Sequence, residues 1–74
     1  MTAGNDKQLR RLGRRCRKLR VDRGLTQVEM ARSSKLTPSH YQKIESGELN
    51  PRMSTLQRLA EAHGLSLSEL FEGV

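Results

Sequence analysis

The stretch from Leu36 to Gly47 reads LTPSHYQKIESG, and the fold turns on how Pro38 within it is understood. Inside a helix a proline removes a backbone donor and clashes with the preceding turn, so Pro38 looks at first like a break. The residue before it points the other way. Thr37 is a good N-cap, and proline suits the first helical position, where its missing N–H would have had no partner in any case. A helix therefore starts at Pro38. Tyr41 and Ile44 then point inward at a spacing of three, while Ser39, Gln42 and Lys43 point outward. Gly47 closes the helix.

Upstream, TQVE places Glu29 three residues after Thr26, a capping box in which two side chains satisfy orphan amides reciprocally. It opens a short helix that ends at Ser33 or Ser34 and buries Met30 and Ala31, the latter small enough for a second helix to cross close above it. Only a few residues, about Ser34 to Thr37, separate this helix from the one at Pro38, which makes a helix-turn-helix. In that arrangement the first helix braces against a DNA backbone and the second enters the major groove end-on. The corner alone is a weak signal, because any small helical bundle has tight corners.

Outward from this pair, Leu9, Leu12, Cys16 and Leu19 recur at spacings of three and four between about Asp6 and Arg23, the apolar stripe of an amphipathic helix. The rest of that segment is almost entirely Arg and Lys, and Gly24 ends it. After ELNPR, a loop with an Asn50–Pro51 turn signal, Leu56, Leu59 and Ala60 form a third stripe from Met53 or Ser54 to His63. Ser66 and Glu69 make a second capping box for a last short helix carrying Leu67, Leu70 and Phe71. No segment alternates with period two. Residues 1–5, MTAGN, have no pattern and are expected to be disordered, with residues 6–74 forming one domain. The fold class expected is all-α, a compact five-helix bundle.

The totals narrow the function. In 74 residues there is one cysteine, Cys16, so no internal disulfide, and with only two separated histidines, His40 and His63, no metal cluster. No run approaches the roughly 20 apolar residues that span a bilayer, and a cytoplasmic location is expected. One Tyr, one Phe and no Trp leave few rings to stack on unpaired bases. No nucleophile, base and orienter stand at workable spacing and no glycine-rich loop could cradle a phosphate, which argues against an enzyme and gives no cofactor. Charge is uneven: residues 1–52 carry 13 Lys and Arg against 5 Asp and Glu, whereas residues 53–74 carry 1 against 3. A basic body with a mildly acidic tail suits a polyanionic partner on one side.

Three segments, GLTQVEMA, LTPSHYQKIESGELNPR and TLQRLAEAHGLSLSELF, together resemble the lambda-repressor-like (Cro/cI-type, xenobiotic-response-element) helix-turn-helix regulators over about Leu12 to Phe71. The resemblance implies a five-helix bundle that binds operator DNA, usually as a dimer on a two-fold site. It implies that Gln27, opening the second helix, contacts phosphate and buttresses a base-reading side chain. It sets Thr37, Pro38, Ser39, Gln42 and Lys43 against the groove, pairs Arg20 with Glu45 to clamp the third helix to the body, and aligns Arg52 with an arginine that reaches phosphate or minor groove. Three positions depart from the pattern. Lys35 stands where the family often has glycine at the turn, a non-glycine residue with positive φ that is available to a phosphate. Pro38 replaces what is often an amide and offers only apolar contact. Tyr41 takes a position usually aliphatic, its hydroxyl expected at the bundle edge.

Other residues have plainer readings. His40 is a packing residue more than a reader, His63 a partner for the C-terminal dipole of the fourth helix, and Cys16 a small core hydrophobe. Arg10, Arg11, Arg14, Arg15 and Arg17 form a mostly solvated face that steers by its field, with one or two phosphate contacts. Among Leu67, Leu70, Phe71 and Val74, some fill the core, and those left exposed form a two-fold dimer interface. The function expected is a sequence-specific transcriptional regulator that binds double-stranded DNA at a near-palindromic operator as a homodimer, helix 3 in the major groove. The alternative is an antitoxin or adaptor whose main partner is another protein, a toxin or polymerase. DNA is favoured because the outward face of helix 3 is small and polar, without the apolar anchors of a protein-docking face. The sequence leaves open the operator, activation or repression, and whether the chain is a small complete regulator or the head of a longer one.

Overall fold

The computed structural model describes the backbone of residues 3–74 and the side chains of residues 6–74. These residues form five helices and no strand: α1 (Ala3–Asp22), α2 (Gln27–Ser33), α3 (Pro38–Ser46), α4 (Met53–Ala62) and α5 (Leu67–Leu70). Helix α1 starts ahead of Asp6; the rest of the patternless stretch, residues 1 and 2, lies outside the described residues. The other helix starts follow from local chemistry. Thr26 and Ser66 each accept from the backbone amide of the glutamate three residues on, at 3.1 Å, and that glutamate accepts from the cap's own amide at 2.8 Å. Thr37 accepts from the His40 amide with Pro38 in the first turn, and Gly47 ends α3 in the left-handed region at φ 78°.

The core takes residues from every helix: Leu12 and Cys16 of α1, Met30 and Ala31 of α2, Tyr41 and Ile44 of α3, Leu56, Leu59 and Ala60 of α4, and Leu70 of α5. Each large side chain fully buried in this way contributes about 1.5–3 kcal/mol. Leu70 is fully buried inside the monomer. It therefore leaves the set of four expected at a dimer interface, because a chain this short in apolar residues spends it on its own core. Phe71 remains exposed, and Leu67 and Val74 are half-buried.

How α1 meets α3 sets the position of everything that follows. The contact depends on Gly13, in the middle of α1. A Cβ there would lie 2.8 Å from the Ile44 carbonyl oxygen and closer still to that of Glu45, so only glycine lets the two backbones approach this far. Nothing in the apolar periodicity singles Gly13 out, although an interior helical glycine costs about 1 kcal/mol relative to alanine and so asks for a packing reason.

Two arginines join helices that are far apart in sequence. Arg15 donates from Nε to the Leu70 carbonyl at 3.2 Å and from Nη2 to that of Glu69 at 2.7 Å, satisfying carbonyls that the short α5 cannot pair by itself. Arg15 is thus an α5 cap and not one of the solvated arginines expected along α1. At the far end of α1, Arg23 Nη1 donates to the Ala62 carbonyl at 2.9 Å and meets His63 Nδ1 at 3.0 Å. Burial, then the adjacent Arg23 charge, push the His63 imidazole below its ordinary value. The cation that serves the C-terminus of α4 is therefore Arg23, which corrects the role expected of His63.

Candidate nucleic-acid interface

The helix expected to read DNA is held by one carboxylate. Glu45, in the last turn of α3, accepts from Arg20 Nε at 2.7 Å through Oε2 and from Arg20 Nη2 at 3.1 Å through Oε1. Arg20 also donates to the Leu25 carbonyl at 2.9 Å, tying the end of α1 to the entry of α2. The Tyr41 hydroxyl donates to Glu45 Oε2, and Gln27 Nε2 donates to Oε1 at 3.0 Å. Each carboxylate oxygen therefore accepts twice. Burial alone would raise the Glu45 carboxyl, but Arg20, then Tyr41 and Gln27, outweigh it and hold the group below its ordinary value.

Tyr41 is fully buried, with its hydroxyl turned onto Glu45 instead of reaching the bundle edge. A phenol at an otherwise apolar position is tolerated because its one donor has a charged acceptor one helical turn away. Burial, then the neighbouring carboxylate, push its pKa well up, so it stays a donor at all ordinary pH values. Cys16 is buried and its thiol is pushed up to about 12 by burial and then by Glu45, which leaves it inert.

From Glu45 the network runs outward. Gln27 Oε1 accepts from Gln42 Nε2 at 3.2 Å, so the start of α2 and the outer face of α3 share a hydrogen bond at the surface. Gln42 lies on that face with Ser39 and Lys43, all three exposed. His40 is half-buried. Thr37 Oγ1 is engaged by the His40 amide at 3.1 Å, and exposed Pro38 presents only carbon beside it. Lys35, exposed in the turn, adopts φ 60°, the left-handed conformation expected there. Arg52 is the exposed N-cap residue of α4, its side chain making no cap hydrogen bond. The structure therefore brings Gln27, Gln42 and Glu45 together in one network, sets Ser39 and Lys43 beside it, and leaves Lys35 and Arg52 on the flanking turns.

A helix-turn-helix family model matches residues 17–70. The chain is 44% identical over 59 residues to the HTH-type transcriptional regulator PuuR of Escherichia coli (strain K12), an alignment that covers 80% of this chain and 32% of that protein. It is 37% identical over 59 residues to the immunity repressor protein of Bacillus phage phi105, covering 80% of this chain and 41% of the repressor. Its fold superposes with a TM-score of 0.81 on the restriction-modification controller protein C.AhdI from Aeromonas hydrophila, at 34% identity, covering 84% of this chain and 94% of that one. The chain belongs to the lambda-repressor-like helix-turn-helix family.

The named relatives are a transcriptional regulator, a phage immunity repressor and a restriction-modification controller. The alignments cover less than half of both sequence relatives. Within this helix-turn-helix chain, sequence reasoning missed the contact of Tyr41 with Glu45, whose signal was a phenol four residues before a carboxylate on one helix. The family resemblance gave Gln27 a buttressing role without naming its partner, which is Gln42. Among the described residues no group of three His, Cys, Asp or Glu could hold a metal, and no helix is long and apolar enough to cross a membrane.

Proposed function

We propose that this regulator reads a near-palindromic operator as a homodimer, with α3 in the major groove and Ser39, Gln42 and Lys43 at the base edges. The observation that carries the reading is the outward face of α3, small, polar and exposed, on a helix clamped by Arg20 and Glu45. Gln27 braces Gln42 and reaches phosphate, Thr37 and Pro38 set the entry of the helix, and Lys35 and Arg52 take backbone phosphates. Lysine suits a guanine edge and an amide an adenine edge.

The dimer forms around Phe71 and Val74, which line a groove of about 370 Å³ with Leu9, Leu12, Pro51 and Leu56. Likeness to a phage immunity repressor and to a restriction-modification controller supports action on a promoter. A cytoplasmic location goes with that role.

Selection of bound duplexes from a random pool tests the reading. The expected product is a two-fold sequence with half-sites about 34 Å apart, one helical turn. Enrichment of nothing beyond random sequence at physiological salt refutes it. Sedimentation separates the dimer from the reading itself: Phe71→Ser should yield a folded monomer, and an unchanged dimer in that variant would place the interface elsewhere.

A further inference from the structure

Helix α1 carries a second charged surface that the reading face does not use. Between residues 7 and 18 there are seven Arg and Lys and no Asp or Glu. Arg15 is turned onto α5. The other six, Lys7, Arg10, Arg11, Arg14, Arg17 and Lys18, are exposed. Among the described residues, only Lys18 of these six meets a carboxylate, Asp22 at 3.1 Å, and both members of that pair are exposed, so it neutralises little. Like charges three and four residues apart repel by about 0.2–0.5 kcal/mol per pair, a cost α1 bears because Leu12, Gly13 and Cys16 hold it against the core.

Lys7, Arg11, Arg14 and Lys18 face away from the groove-reading helix, whereas Arg10 and Arg17 lie about 60° and 40° from the Gly13 line and border α3. Gly13 marks the line on which α1 touches α3. At 3.6 residues per turn, Arg11 and Lys18 lie about 200° and 140° round the axis from it. They border the end of α5 instead, sharing a cleft with Arg14, Arg15 and Glu72. A duplex seated on α3 leaves them facing solvent.

We propose that the outer face of α1 is a sequence-neutral binding site for a second DNA duplex, so that the operator-bound protein holds another DNA segment against its back. Charge and surface chemistry choose the partner. The row from Lys7 to Lys18 is about 16 Å long at the helical rise of 1.5 Å per residue. A duplex presents about one phosphate charge per 1.7 Å of axis along the same length. Two of the four cations on this outer face, Arg11 and Arg14, are arginines, whose planar guanidinium matches phosphate. A protein partner would need an apolar anchor to desolvate, and the exposed large apolar residue described on α1 is Val21, at one end. Lipid insertion needs an apolar face, and that of α1 is buried in the core.

The test uses two differently labelled duplexes and the intact protein. One carries the selected operator at a concentration that saturates the reading faces, and the other is unrelated in sequence. The parent should retain the unrelated duplex on its operator complex, with retention falling steeply as salt rises. In the triple variant Arg11→Gln, Arg14→Gln, Lys18→Gln, which relieves repulsion on α1 and should stay folded, that retention should fall by about tenfold or more. Its salt slope should shrink by about 2.7, roughly 0.9 for each phosphate no longer neutralised, with the operator preference unchanged.

The proposal is overturned if the parent retains no second duplex, or if the triple variant retains it equally. Loss of the second duplex in Ser39→Ala, Lys43→Ala, with retention in the triple variant, would assign it to another reading face and overturn it as well. So would stronger binding of this face to polyglutamate or to phosphatidylserine vesicles than to the unrelated duplex at the same salt. If selection enriches no operator, the base-reading account fails alone; joining of two arbitrary duplexes by the parent and not by the triple variant would still uphold the second site.

Discussion

Arg20 and Glu45 meet through two near-parallel hydrogen bonds, 2.7 Å and 3.1 Å long, between side chains only 12% and 4% exposed. This pair is the rivet between the body of the protein and α3. Replacing Arg20 by alanine strands a carboxylate with only Tyr41 and Gln27 as donors, and a charge buried without its partner costs about 3–5 kcal/mol. Urea melts of Arg20→Ala should show a loss in that range. Arg20→Lys should recover only part of it, since an ammonium cannot span both oxygens as a guanidinium does.

The same carboxylate sets part of the acid limit. Its folded pKa lies below the ordinary 4.5, so the unfolded chain takes up the proton first as pH falls. The stability it contributes is complete above the ordinary carboxylate range and is lost as pH drops through the lowered folded value. Glu29 and Glu69, held down by the backbone amides of Thr26 and Ser66, act in the same direction. Glu45→Gln should be less stable at neutral pH, yet lose less stability than the parent between about pH 5 and pH 3. A variant curve as steep as the parent's would show that Glu45 is not a source of the acid sensitivity.

Gly13→Ala tests the close crossing. Alanine is the better helix former by about 1 kcal/mol, so an exposed site would gain from the change. Here the added methyl must displace the α3 backbone at Ile44 and Glu45. Overpacking of this kind costs about 1–3 kcal/mol, and a lower thermal midpoint with weakened operator binding is the expected result. An unchanged or higher midpoint would mean that α1 and α3 separate freely.

Which parts were legible in the sequence follows from how local their causes are. Thr26 with Glu29, Thr37 with Pro38, and Ser66 with Glu69 each specify a helix start within four residues, and all three starts stand where the chain indicates. The Arg20–Glu45 pair, 25 residues apart, was reached only through family resemblance. Arg15 looked like any other arginine in a solvated run, because the carbonyls it caps are 54 and 55 residues away. Leu70 and Phe71, adjacent and both apolar, take opposite environments. The short α5 turns one inward and leaves the other out, and residue type alone does not distinguish them.

Lys35 separates stability from binding. A lysine at φ 60° bears a steric cost of about 1–2 kcal/mol that glycine avoids, offset in part by glycine's greater freedom in the unfolded chain. Lys35→Gly should therefore stabilise the fold by up to about 1 kcal/mol. If Lys35 takes a phosphate, the same variant should bind DNA more weakly, with a salt slope reduced by about 0.9. Greater stability together with undiminished affinity would remove Lys35 from the interface.

The most direct measurement is the affinity of Lys43→Ala, relative to the parent, for the selected operator and for operators changed one base pair at a time, across a salt titration. If Lys43 reads a base edge, the variant loses about 1–3 kcal/mol on the operator and its preference relaxes at one position of each half-site. Equal affinity of variant and parent for every sequence at every salt concentration would contradict α3 as the reading helix.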